Sequence, residues 1–513
     1  MTAHTRLSAA LDRPWLPPLV IILLLGGLAT LYLWPSAWEF PMDDTYIHFV
    51  YAQNLAERGQ LMFNTPGEVG VGSTSLTWVV LLAGAYRLGI PFHVAAKALG
   101  LLSLICAGIG LYRLFLPLLR PLPALALALL VTASGHMLWF ALSGMETMLF
   151  FALGVLALLL YRERRWTLLG LVLGLLALTR PDGLALAAAV GLVEIWRVRR
   201  LFCPLSSAPA RLWCSPELRG LALALVLCLV VCGPWFAYLL WRTGSVLPTS
   251  ALGKQVSSLI GIRMVIAASP PLAFLEKLTP LIYFGTWVGY LLEFALGGMA
   301  FPGPGIPLAA SVGNVQYSIS LLGVLGWVLV ILPLLVSFGK RLARFWRSPN
   351  HLLHEYRPLL LLAAWLILHN LAYAFFLPIP GTASRYGTVN HLALWLALLL
   401  GLLAWLRRPT ARPWTRWGLT VGLLLIASAN TLYWNRVYDA NLEHMHKVRI
   451  AAAHYVTEQI PDDEPIAVFD VGVMRFYTGR PIIDLGGLID PRLGKVYKTD
   501  GRIDRYLAEQ GTF

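Results

Sequence analysis

Apolar runs of membrane-spanning length dominate the first 434 residues and are separated by short polar stretches in which arginine recurs. A helix needs about 20 apolar residues to cross a bilayer core, and in lipid only helices and closed barrels satisfy their own backbone. The runs lack the short alternating segments of barrel strands, so helices are expected. They fall near 17–36, 75–90, 94–116, 122–141, 145–161, 166–196 with a break at Pro181, 220–242, 280–299, 317–338, 358–377, 389–406 and 417–434. This pattern predicts a polytopic α-helical membrane protein with about 10–13 transmembrane helices. The first run has no small-residue cleavage site and is expected to stay as the first helix. From Asn435 the pattern changes. "VYDANLEHMHKVRIAAAHYVTEQI" reads as a helix, "PIAVFD" and "RPIIDL" as short strands, and "DGRIDRYLAE" as a last helix, which makes 435–513 a small C-terminal α/β domain after a transmembrane module over 1–434.

Composition supports this class. With 58% of 513 residues hydrophobic and 13% charged, the chain carries more apolar surface than a soluble domain can bury. The clusters "RERR", "WRVRR", "KRLARFWR" and "RRPTARPWTR" assign their loops to the cytoplasm by the positive-inside rule. The loop 37–74 then faces outward, with Glu39, Asp43, Asp44, Glu57 and Glu68 against Arg58 alone, and the C-terminal domain falls on the same, extracytoplasmic side. The net charge of +14 is no nucleic-acid signature, because residues 1–434 hold 30 Lys and Arg against 14 Asp and Glu, while the last 79 hold 10 against 12. The excess belongs to loops facing anionic membrane lipids, and no nucleic-acid partner is expected. Cys106, Cys203, Cys214, Cys228 and Cys232 form neither a disulfide framework nor a zinc spacing.

Candidate chemistry begins at "PMDDTYIHFVYAQNLAERGQLMFN", residues 41–64, where two adjacent carboxylates stand at the membrane boundary. One of them suffices to cap the helix starting near Thr45. A carboxylate placed here can also take a proton from a sugar hydroxyl, provided it stays ionised and within reach. Tyr46 and His48 on the same helix are substrate-binding candidates. Glu146 in "SGMET" suits either substrate contact or a cap. Arg180 and Asp182 flank Pro181 and are expected to pair at the helix break. Lys254, Arg385 and Tyr386 stand at outward-facing ends, suited to binding a phosphate or to anchoring at the interface. Asp484, beside two glycines near a strand end, is a further candidate for ligand contact. His48 and His93 lack partners at ligand spacing, so no transition-metal site is expected; the glycines beside Asp484 lack the G-x-G-x-x-G spacing of a dinucleotide site, and no organic cofactor is expected. The carboxylate pair keeps the chemistry of a hard-cation ligand, which leaves a divalent cation open.

The acidic pair in the first outer loop resembles the signature of the GT-C glycosyltransferases. The run "DDTYIHFVYAQNLAERGQLMFNTPGEVGVGSTSLTW" is most similar to the bacterial group that includes the mycobacterial terminal arabinofuranosyltransferases. "SGMET", "LTRPDG", "GSVLPTSALGK", "SRY" and "YTGRPIIDLGGLIDP" resemble the same group in the same order, although an Asn expected before Thr249 is replaced by Pro248. The resemblance implies an inverting transfer from a polyprenyl-phosphate-linked sugar to an envelope glycan, lipid or protein, on the outer face of a bacterial cytoplasmic membrane. It implies Asp43 as general base, Asp44 as acceptor-orienting or capping residue, and Lys254, Arg385 and Tyr386 as donor-phosphate ligands. A polytopic lipid or sugar transporter is the alternative; its usual repeated halves are not seen in this asymmetric chain.

Overall fold

The computed structural model describes residues 13–34, 38–64, 70–202, 216–255, 279–293, 306–312, 315–319, 325–346, 357–379, 381–493, 496 and 503–509. The protein is a multi-pass helical membrane protein with a small C-terminal α/β unit. Among the described residues, six helices are long and apolar enough to cross a bilayer: Leu16–Leu33, Phe92–Phe115, Pro216–Thr243, Arg357–Phe376, Thr382–Leu406 and Pro413–Gln459. Pro121–Thr132 and Gly135–Leu142 meet at 56° and pass the same length and composition test only as a bent pair, a broken span or a re-entrant loop, and Leu76–Arg87, Thr147–Arg162 and Trp166–Thr179 are shorter apolar helices.

Most spans lie within a few residues of the sequence-based ones. The segment expected at 166–196 divides as its proline requires. Pro181 has no N–H to donate and disfavours a helical residue before it. Arg180 is accordingly extended (φ −156°, ψ 135°), and a short 3-10 turn, Pro181–Gly183, leads into Leu184–Phe202. One span needs correction: residues expected to start a helix at 317 instead form the strand Val315–Ile319, antiparallel to Ile306–Val312, and the helix comes later, as a π turn Trp327–Ile331 followed by Leu332–Trp346. Strand 315–319 is "VQYSI", a short alternating segment whose β-branched and aromatic residues suit a hairpin.

The helix Pro413–His444 passes the 434/435 boundary without a break and continues through a π turn into Ala451–Gln459. The C-terminal unit adds strands Ile466–Val468 and Ile482–Asp484, which pair in parallel, and helices Val471–Thr478 and Ile503–Glu509. This unit shares its core with the first loop. Tyr46, Phe49 and Val50 of the helix Asp43–Arg58 pack in one cluster with Val471, Val473, Met474, Ile482 and Ile489. Asn64 extends the contact: its side-chain amide donates to the Ile482 carbonyl at 2.8 Å and accepts the Ile482 N–H at 2.9 Å, as a neighbouring strand would.

Candidate active site

The two aspartates of the first loop face different partners. Their helix begins after Met42, which makes no side-chain cap, so neither carboxylate caps its own helix by the expected route. Asp43 instead accepts the Gly472 N–H at 2.9 Å and the Val473 N–H at 2.7 Å, using both oxygens. These are free amides of the first turn of Val471–Thr478, where a helix takes an anion well. Asp43 is 7% exposed. Burial pushes its pKa up to about 7 against the pull of the two amides, with Asp470 and Asp44 adding repulsion.

Asp44 points to two cations. Its Oδ2 accepts from Lys254 Nζ at 3.0 Å and from Arg385 Nη2. Burial works to raise the Asp44 pKa, but Lys254 and Arg385 outweigh it and hold the carboxyl well below the usual range. Asp44 in turn lifts the Lys254 pKa against the effect of burial.

Local backbone chemistry brings these cations in. Residues 249–255 are helical, and Thr249 fastens them to the first loop: its N–H donates to the Val71 carbonyl and its hydroxyl accepts the Val71 N–H, both at 3.0 Å. Gly253 abuts the Gly487 carbonyl, which would stand 2.1 Å from a Cβ at that position, so only glycine lets the C-terminal unit press against the residue before Lys254. Arg385 follows Gly381, Ala383 and Ser384, all at positive φ. Left-handed Ala and Ser are costly, and such strain gathers where a side chain must be aimed. Here the turn delivers a guanidinium that is 4% exposed.

Behind this trio lies a second network. Arg180 donates to Asp182 at 3.0 Å, to Glu146 at 3.3 Å and to the Tyr373 hydroxyl at 2.6 Å, and its guanidinium carbon lies 4.4 Å from the Tyr386 ring centre. Glu146 also faces His48 Nε2 at 3.4 Å, while His48 Nδ1 meets Ser73 Oγ at 2.9 Å. Lys254, Arg180, Asp182, Thr74 and Tyr386 line a cavity of about 320 Å³ together with the apolar Val246, Leu247, Ala251, Phe376 and Leu377. Two cations among mostly apolar walls suit a phosphate attached to a hydrocarbon chain.

Of the residues singled out from sequence, Asp44, Lys254, Arg385 and Tyr386 meet directly, and Glu146 and His48 join them through Arg180. Tyr46 turns to the other side of its helix and donates to Glu39 at 2.7 Å. Asp484 is 1% exposed and accepts the N–H groups of Gly486, Ile489 and Asp490, so it shapes its own turn. Arg180 and Asp182 do pair, but Arg180 also walls the cavity, a role that sequence reasoning missed. Its signal was a charged residue in an apolar run beside a proline, within "LTRPDG".

A family model described as a domain of unknown function (DUF8728) matches residues 435–511. No curated protein sequence matches the chain. Among solved structures, ArnT from Cupriavidus metallidurans bound to undecaprenyl phosphate is similar, at 13% identity over 96% of this chain and 90% of that one, with a TM-score of 0.52. The archaeal oligosaccharyltransferase AglB from Archaeoglobus fulgidus, in complex with an inhibitory peptide and a dolichol-phosphate, is similar at 14% identity over 93% of this chain and 64% of that one, with a TM-score of 0.53. The fold is therefore the GT-C-like one expected from the sequence.

Proposed function

We propose that the protein is an inverting glycosyltransferase that moves a sugar from a polyprenyl-phosphate donor to an acceptor of the cell envelope, with Asp44 as general base. The observation that carries this reading is the pairing of Asp44 with Lys254 and Arg385, of which Lys254 lines a largely apolar cavity together with Arg180. The donor phosphate would take Lys254 and Arg385 as ligands, and its prenyl chain would run along Val246, Leu247 and Phe376. An acceptor hydroxyl attacks the anomeric carbon from the opposite face, the bond from that carbon to the phosphate oxygen breaks, and the hydroxyl proton passes to Asp44. Polyprenyl phosphate leaves as an anion, and the two cations stabilise the charge that develops on it.

The resting ion pairs have a consequence. A carboxylate held by two cations is a poor base, because both partners stabilise its charged form. An incoming phosphate competes for Lys254 and Arg385, frees Asp44 and raises its basicity, so donor binding would arm the base. Asp43 is assigned a positioning role in this reading, since both of its oxygens are committed to the C-terminal unit. The arginine-rich loops lie at the other end of the spans by sequence, which supports a site on the outer face of a bacterial cytoplasmic membrane.

The test is transfer by purified full-length protein in lipid nanodiscs, with a panel of polyprenyl-phosphate sugars that includes arabinofuranose and mannose, and with envelope glycan, lipid and protein fractions as acceptors. The reading expects transfer from at least one donor with inversion at the anomeric carbon. Retention of configuration, or transbilayer lipid movement without transfer, would contradict it.

A further inference from the structure

A second cavity, of about 380 Å³, opens on the other side of the helix Asp43–Arg58 and shares no lining residue with the first. Asp44 and His48 face the candidate active site, whereas Tyr46 and Phe49 face this one. Its walls are aromatic. Phe49, Phe92 and Tyr86 form a stacked column with centroid separations of 4.9 and 5.0 Å, Phe476 and Tyr477 come from the C-terminal unit, and Trp38 stands at the mouth, 53% exposed. One acidic group lies among them. Glu39 Oε2 accepts from the Tyr46 hydroxyl at 2.7 Å and from the Tyr477 hydroxyl at 3.0 Å, while Oε1 has no hydrogen-bond partner among the described residues.

We propose that this cavity is a carbohydrate subsite that holds one sugar residue against the aromatic walls, with a sugar hydroxyl donating to Glu39 Oε1. The volume falls in the range of small-molecule pockets, about 300–1,000 Å³, which combine apolar and aromatic walls with few placed polar groups. Sugars present C–H faces that pack on aromatic rings and hydroxyls that donate to a carboxylate. The two tyrosines hold Oε2 and so fix the plane of the carboxylate. A ligand cation is the chemistry most similar to this, since aromatic faces attract it. The Phe40 face, however, already carries Lys97 Nζ at 4.3 Å from its centroid, and that nitrogen also donates to the Glu39 carbonyl at 2.9 Å. Assigning the bound sugar to the acceptor glycan rests on the transferase reading above; the binding of a sugar does not.

The experiment is saturation-transfer NMR on full-length protein in nanodiscs, with methyl arabinofuranoside, methyl mannopyranoside and their short oligosaccharides, and with choline as the cationic probe. Wild type is compared with Trp38→Ala, Glu39→Gln and Asp44→Asn. The subsite predicts saccharide binding to wild type and to Asp44→Asn, weakened at least tenfold by Trp38→Ala and by Glu39→Gln. Trp38 is exposed, so its replacement leaves the fold in place. Equal saccharide binding in all four proteins, loss in Asp44→Asn alone, no saccharide binding by wild type, or binding of choline in place of sugars would each overturn the proposal. Sugar binding in a protein that transfers nothing would sustain the subsite while removing the transferase reading.

Discussion

The Asp43 carboxylate accepts the Gly472 N–H across 429 residues of sequence and thereby caps a helix of the C-terminal unit. The neighbouring Asp44 turns to Lys254 and Arg385. Adjacent helical residues point about 100° apart, so one short segment makes two contacts: Asp43 with the C-terminal unit, and Asp44 with Lys254, which lines the cavity. Gly472 lies within residues 435–511, the stretch matched by the family model, which packs against the first loop in this chain.

Asp43→Asn keeps one acceptor oxygen in place of two, so one of the bonds from Gly472 and Val473 is lost, at an expected cost of about 1 kcal/mol of stability. It should also flatten the pH dependence of stability. Burial raises the folded pKa of Asp43 to about 7, above the roughly 3.9 of an unfolded chain. Between those values the folded protein binds the extra proton, so this contribution is complete below pH about 4 and is lost as pH rises through 7. Asp44 behaves oppositely: its folded pKa is depressed, and its contribution is lost only in acid, below the unfolded value. Thermal melts in nanodiscs between pH 5 and 8 should show wild type losing stability toward pH 8 more steeply than Asp43→Asn. Parallel profiles would remove this account of Asp43.

Arg385→Lys keeps the charge and loses the planar fork. One charge-assisted hydrogen bond contributes about 1.5–3 kcal/mol, so polyprenyl phosphate should bind about tenfold to a hundredfold more weakly. Isothermal titration with undecaprenyl phosphate reads this out. An unchanged dissociation constant would assign Arg385 to Asp44 alone.

Gly253→Ala should displace Lys254. The added Cβ would meet the Gly487 carbonyl at 2.1 Å, a backbone contact with no flexible end to give way. Overpacking of this kind costs about 1–3 kcal/mol. Weaker phosphate binding is expected together with a lower melting temperature, whereas Gly26→Ala, which has nothing within 4 Å, should leave both unchanged. Equal behaviour of the two variants would argue against the C-terminal unit as the support of Lys254.

The spans were legible in the sequence because burial in lipid imposes a long, uniform apolar run, and Pro181 announced the one break that matters to the site. The acidic pair, Lys254 and Arg385 were also legible, as charges where apolar runs end. Their mutual geometry was not. Asp44 meets Lys254 across 210 residues and Arg385 across 341, and no local pattern records such pairings. The different partners of Asp43 and Asp44 were hidden for the same reason, since the amides that occupy Asp43 belong to Gly472 and Val473. The glycine-rich surroundings of Asp484 form a turn built on its own carboxylate, a pairing with backbone amides that no residue pattern announces.

The most direct test of the central claim compares Asp44→Asn with Asp43→Asn in single-turnover sugar transfer, with undecaprenyl phosphate binding measured alongside. If Asp44 is the base, Asp44→Asn should lose at least about a hundredfold in transfer rate, the scale of general-base assistance. It should bind the phosphate at least as tightly as wild type, because Lys254 and Arg385 are released. Asp43→Asn should lose less. A greater loss in Asp43→Asn, or near-normal transfer by Asp44→Asn, would contradict the assignment.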